Sequence, residues 1–161
     1  MHEVIRIKSK VIFPLIEEIL NEGGSVRISI TGMSMYPFLR NSKDSVELSS
    51  AKFENIKRGD IVAILRDNNE YIIHRVFKKK NECFYLVGDA QQWIEGPINK
   101  NQLIAIVTAI WRGQKKISCS NLWWKILSTF WLIILPFRYP IINTYMFLIR
   151  IFRNFYGTER R

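Results

Sequence analysis

Between Val26 and Thr31 apolar and polar residues alternate strictly, with Val26, Ile28 and Ile30 set against Arg27, Ser29 and Thr31. A period of two sends successive side chains to opposite faces, so this stretch predicts a half-buried strand. Val46 and Leu48 around Glu47 repeat the pattern in a shorter form. Ile61 to Leu65 does not alternate; it is apolar throughout and is opened by Gly59-Asp60. That predicts a strand covered on both faces. Asp67-Asn68-Asn69 is a turn signal, and Tyr71 to Phe77 beyond it predicts the second arm of a hairpin. Cys83 to Val87, after a charged loop Lys78 to Glu82, and Leu103 to Trp111 complete the predicted strands.

The pattern is helical only at the two ends. Ile12 to Asn21 carries helix formers, tolerates Pro14 in its first turn and stops at Gly23-Gly24. Met1 to Lys10 has charges at Glu3, Arg6, Lys8 and Lys10 and no long apolar run, so it predicts neither a secretory signal nor a membrane anchor. The chain thus divides into an N-terminal helical segment (1–24), a mainly-β domain (25–119) and an apolar helical tail (120–161). At 161 residues it is long enough for one domain with its own core.

In the tail, Ile126 to Phe137 is uncharged for 12 residues, short of the ~20 that cross a bilayer. Pro136, Arg138 and Pro140 separate it from Ile141 to Ile149. On the second segment Asn143, Arg150, Arg153 and Asn154 share one helical face, opposite Ile142, Tyr145, Met146, Ile149 and Phe152. Lys125, Ser128 and Thr129 make a polar stripe on the first, and Trp123, Trp124 and Trp131 are aromatics of the headgroup-level type. This predicts helices lying in or shallowly inserted into a membrane surface. The alternatives are helices packed on the β domain, or one tilted span from Leu122 that accommodates Pro136 and Arg138.

Charge supports the membrane reading. The net charge is +10, and from Asn121 onward Lys125, Arg138, Arg150, Arg153, Arg160 and Arg161 face the single acid Glu159. Half the excess therefore sits in the most apolar part of the chain, which favours a membrane surface over nucleic acid. No zinc-finger, helix-turn-helix or RNP-like pattern supports nucleic-acid binding. Flanking basic residues on both sides leave orientation, and hence the side of the membrane, open. Cys83 and Cys119 lack metal-ligand spacing and read as reduced core residues. No metal or cofactor is implied.

Chemistry concentrates in Thr31-Gly32-Met33-Ser34-Met35-Tyr36-Pro37. Gly32 permits a sharp turn after the strand and Pro37 fixes the backbone beyond it. A serine so held can present Oγ to a cleft and its own N–H to an oxyanion. Taken alone, the segment also fits an ordinary turn. His74 adds to it. On its strand it shares a face with Ile72 and Val76, opposite Tyr71, Ile73, Arg75 and Phe77. A lone histidine there is commonly a core residue, yet it is the domain's one histidine, since His2 is at the terminus. A neutral imidazole is the base that a serine nucleophile needs near pH 7.

Gly32-Met33-Ser34-Met35-Tyr36-Pro37 resembles the G-x-S-M-x-P box of signal peptidase I and its relatives, which share a β fold with LexA-like self-cleaving repressors. Gly59-Asp60-Ile61-Val62 resembles the following G-D-[IV]-V segment. Ile73-His74-Arg75-Val76 falls where bacterial-type enzymes have K-R-V and the endoplasmic-reticulum and archaeal type has H-R-V. Gly88-Asp89 resembles the next G-D box. The boxes occur in order over roughly Ser25 to Ile110.

The resemblance implies a signal peptidase/LexA-like β domain with an N-terminal helix and a C-terminal apolar helical tail. It implies a serine endopeptidase acting on signal or leader peptides, with Ser34 as nucleophile and His74 as general base. Asp89 matches the aspartate of the G-D box. The acid of the His-type site falls further on, where Glu95 stands in Trp93-Ile94-Glu95-Gly96 in place of aspartate. Either carboxylate could orient the imidazole; Asp89 is favoured, Glu95 reading as a solvated loop charge. Because position 32 is Gly, the hydroxyl that some relatives add to the oxyanion hole is absent. Signal peptidases usually place their membrane segment before the serine box; here only the tail is a candidate. The rival readings are a non-catalytic peptide-binding module of the same fold and a LexA-like self-cleaving regulator. The latter would use a lysine base and carry a DNA-binding domain, for which the 24 residues before the first strand are too few.

Overall fold

Each predicted strand forms, and two more join them. In the computed structural model, which describes residues 9–156, helix α1 (Ser9–Asn21) precedes eight strands: β1 (Ser25–Ser29), β2 (Asp44–Ser49), β3 (Ile61–Leu65), β4 (Tyr71–Lys80), β5 (Cys83–Val87), β6 (Glu95–Asn99), β7 (Leu103–Arg112) and β8 (Lys115–Ser118). Helices α2 (Leu122–Ile133) and α3 (Arg138–Tyr156) follow. The strands make one antiparallel sheet in the order β1-β2-β7-β3-β4-β5-β6, with β8 paired to β7. Expectations placed on residues 1–8, His2 among them, on the side chains of Phe152, Arg153 and Asn154, and on Glu159, Arg160 and Arg161 lie outside the description.

The unbroken apolar run of β3 is explained by cores on both faces. Ile61 and Ala63 join Phe13, Ile16 and Leu20 of α1 with Val46, Leu48 and Val107. Val62 and Ile64 join Val76, Phe84, Leu86 and Ile98 on the other side. Burying a side chain of this size contributes about 1.5–3 kcal/mol, and β3 does so in both directions. β3 and β4 pair as the predicted hairpin, Val62 opposite His74, across a turn in which Asn69 takes φ 60°.

Two expectations about loops are corrected. Lys78 to Lys80 continues β4 rather than forming a charged loop, and the reversal falls on Asn81 and Glu82, both with positive φ. Lys79 Nζ turns inward to the carbonyl of Ile56 at 2.9 Å and lies over the Phe53 ring. Glu95 belongs to β6, hidden from a sequence reading by Gly96-Pro97. A proline is tolerated there because β6 is at the sheet edge.

The tail is an elbow. Asn121 caps α2 by accepting from the Trp123 amide at 2.8 Å, and the α2 and α3 axes meet at a 72° bend over Leu135–Phe137. No single helix among the described residues is long and apolar enough to cross a membrane. The expected polar stripe of α2 is split: Ser128 is buried against the protein while Lys125 and Thr129 are exposed, as are Leu122, Trp123, Ile126, Leu127, Phe130 and Ile133. Packing on the β domain uses Trp124, Ser128, Trp131 and Leu132. On α3, Ile141, Tyr145, Met146, Phe147, Leu148 and Ile149 are exposed. Arg138 is no surface break between apolar segments: it is fully buried at the elbow.

Candidate active site

The serine box is a turn pinned from both ends. Gly32 has φ 88°, which an L side chain rarely adopts, and a Cβ there would touch nothing; glycine serves the turn and not the space. Its amide donates to Asn41 Oδ1 at 3.1 Å. Beyond the serine, Met35, Phe38 and Leu39 sink into the core. Ser34 is left half-buried on the outside of the turn, and its amide bonds to no group among the described residues.

The segment after β5 closes against it. The Ala90 amide donates to Ser34 O at 2.8 Å. A Cβ on Gly88 would lie 2.7 Å from that same oxygen, so the glycine of the Gly88-Asp89 box is required by close approach. Val87 pairs with Arg75, the residue after His74. The sheet therefore brings the serine turn and the histidine to one end of β4 and β5, although no hydrogen bond joins Ser34 to His74 among the described residues.

His74 is 3% exposed, on the face shared with Ile72 and Val76 as the alternation requires. Burial holds its imidazole below the usual histidine range; nearby Glu95 opposes this, Arg66 reinforces it and Asp89 opposes it. The ring is thus kept neutral near pH 7, as a base must be. Its Nδ1 lies 3.5 Å from Glu95 Oε2, within ion-pair reach, yet completes no hydrogen bond.

The sequence favours Asp89 as the carboxylate for His74; in the structure Glu95 is the one beside Nδ1. Asp89 is fully buried and gripped by Arg75, Nε to Oδ1 at 2.8 Å and Nη2 to Oδ2 at 2.7 Å. Arg75 also donates to Gly59 O and Ser128 Oγ, each at 2.8 Å, and stacks over Phe38. The cause is strand alternation: His74 and Arg75 are neighbours that point to opposite faces, and each draws its own carboxylate. Glu95 is no solvated loop charge; its side chain is 21% exposed at the start of β6.

Three arginines escaped the sequence reading as parts of the site. Arg66 binds both oxygens of Glu95, with Nη2 to Oε2 at 2.6 Å, and reaches Glu70 at 3.1 Å. Arg75 was visible in the His-Arg-Val box but not its partner. Arg138 donates to Trp131 O at 2.9 Å and to Gly88 O at 3.3 Å, while Trp131 Nε1 donates to Asp89 O at 3.1 Å. The tail thereby braces the segment that seats Ser34. Both cysteines are free thiols, and burial pushes Cys119 up to about 12, which makes it a poor nucleophile.

A half-buried serine on a turn opened by Gly32, a buried neutral histidine and a carboxylate 3.5 Å from its Nδ1 are the residue types that a Ser-His-acid site requires. No curated protein matches the chain at a significant level. The sequence pattern of Peptidase S24-like proteins matches residues 3–110, spanning the serine turn, His74 and Glu95. With that match over more than half its length, on an antiparallel β fold with flanking helices, the chain belongs to the Peptidase S24-like family.

Proposed function

We propose that the chain is a serine endopeptidase of the signal peptidase type, cleaving signal or leader peptides at a membrane surface. The observation that carries this reading is the approach of Glu95 to Nδ1 of a neutral, buried His74, which leaves Nε2 as the nitrogen for Ser34. Ser34 Oγ attacks the scissile carbonyl carbon as His74 Nε2 takes its proton. The Ser34 N–H donates to the resulting oxyanion. Collapse breaks the C–N bond, the imidazolium protonates the departing amine, and water, deprotonated by the same nitrogen, hydrolyses the acyl ester. Glu95 stabilises the imidazolium during both half-reactions.

The tail supports a membrane location. On α2, Leu122, Trp123, Ile126, Leu127, Phe130 and Ile133 remain exposed although Trp124, Trp131 and Leu132 already serve the core, and Trp123 is 78% exposed; so much uncovered apolar surface on one helix suits a lipid contact. The elbow suits helices lying along a bilayer surface better than a straight span.

The same positions favour one second reading, a peptide-binding module without catalysis. Arg66 already occupies both oxygens of Glu95, and Ser34 is not hydrogen-bonded to His74. The deciding experiment incubates a peptide library with the wild-type chain and with Ser34→Ala in detergent and reads products by mass spectrometry. Cleavage lost in the variant, with unchanged circular dichroism, supports the peptidase. Equal cleavage by both, or none by either together with no labelling of Ser34 by an acylating inhibitor, removes it.

A further inference from the structure

Between the turn before β3 and the inner edge of α2 lies a cavity of about 190 Å³, separate from Ser34, His74 and Glu95. Three cations stand on its wall: Lys57 and Arg58 from the turn, and Lys125 from the helix. None is in an ion pair within 4 Å among the described residues. Asp60 is the one carboxylate there, and it is turned onto the Lys57 amide at 2.7 Å. Ser128 Oγ accepts from Arg75, so its own O–H is left to donate, and Thr129 adds a second hydroxyl. Cations and hydroxyls converging on a small concavity suit a tetrahedral oxyanion.

The outward side of the same helix says how that anion arrives. Leu122, Ile126 and Phe130 are exposed along α2, on either side of Lys125 in sequence. Acyl chains lying against them would carry a lipid phosphate to the cavity mouth. We propose that this cavity is a headgroup site for an anionic phospholipid, its phosphodiester held by Lys57, Arg58 and Lys125 with the Ser128 and Thr129 hydroxyls. In a phosphatidylglycerol headgroup, a glycerol hydroxyl can donate to Asp60. The site rests on the membrane location proposed above and adds to it a stoichiometric, headgroup-selective contact.

The test titrates the full chain, in uncharged detergent, with phosphatidylglycerol or phosphatidylcholine and counts bound lipid by native mass spectrometry. One phosphatidylglycerol should be retained at least about tenfold more tightly than phosphatidylcholine, as charge-assisted contacts require. Lys57→Ala/Arg58→Ala/Lys125→Ala should abolish the preference. Lys43→Ala/Lys52→Ala/Lys80→Ala, with the same change in charge at other exposed lysines, should keep it. If the first triple variant does not fold, Lys125→Gln alone should weaken retention severalfold. Equal retention of both lipids, or equal losses in both triple variants, overturns the site while leaving membrane association standing. Displacement of the lipid by equimolar glycerol 3-phosphate would make it a free-phosphate site and overturn the lipid assignment. Failure of the wild-type chain to float with vesicles of either lipid would remove the membrane reading as well.

Discussion

Arg66 and His74 face the same oxygen of Glu95. Arg66 Nη2 lies 2.6 Å from Oε2, and His74 Nδ1 stands 3.5 Å from it. The carboxylate is therefore shared between a permanent cation and a ring held neutral near pH 7, which in the proposed reaction gains its charge only during turnover. Arg66 would act on that reaction through Glu95, as a positioning residue.

Removing Arg66 should raise the histidine pKa, because the guanidinium lowers it and Glu95 would be freed to raise it further. The base is active only when neutral, so the acid limb of kcat/KM against pH should move to higher pH in Arg66→Ala. The pH profile measured on a cleavable peptide checks this; an unmoved acid limb rules out the coupling.

Glu95 and Asp89 should separate activity from stability. Glu95→Gln should lower kcat by roughly 10³–10⁴, the loss expected when the acid beside a catalytic histidine is neutralised, with little change in melting temperature. Asp89→Asn should leave Arg75 buried without its counter-charge, costing about 3–5 kcal/mol and roughly 10 °C in Tm. Kinetics and thermal melts on both variants check the pair, and a reversal would exchange their roles.

Stability should fall in mild acid because of His74. Its folded pKa lies below the unfolded value of 6.5, so the unfolded chain binds the proton more readily. The contribution is fully present above pH 6.5 and is lost as pH falls from there through the folded pKa. Denaturant melts at pH 7.5 and pH 5 should show a smaller loss for His74→Gln than for wild type.

Gly88→Ala should injure the nucleophile more than the fold. The added Cβ would sit 2.7 Å from Ser34 O and 2.6 Å from Gln91 Oε1, and the side chain of Gln91 can move where the serine carbonyl moves only with its turn. Labelling of Ser34 by an acylating inhibitor should slow, with circular dichroism unchanged. A labelling rate equal to wild type would show that the turn does not depend on this contact.

The alternation around β1 and the apolar run of β3 made the sheet legible, because each strand declares its own faces. Ser34 and His74 stood out as candidates through their local wording, Gly32 before the serine and Arg75-Val76 after the histidine. Which of Asp89 and Glu95 lies beside His74 was not legible. Glu95 reaches His74 because β6 pairs with β5, Leu86 opposite Glu95, and a register between strands leaves no mark at either residue. The edge strand was further disguised by Pro97. On α2 the periodicity grouped Ser128 with Lys125 and Thr129, but Ser128 alone turned inward, where Arg75 donates to it, beside the buried Trp124, Trp131 and Leu132.

Arg138 ties these ends together in a way that bears on where such an enzyme can be dangerous. Its bond to Gly88 O, with that of Trp131 to Asp89 O, makes the hydrophobic elbow a structural part of the serine's seat. Under the proposed function, a chain cut after Cys119 and parted from its elbow would lose these two supports of the serine turn along with the proposed membrane contact, so a β domain set loose in this way is expected to be a weak peptidase.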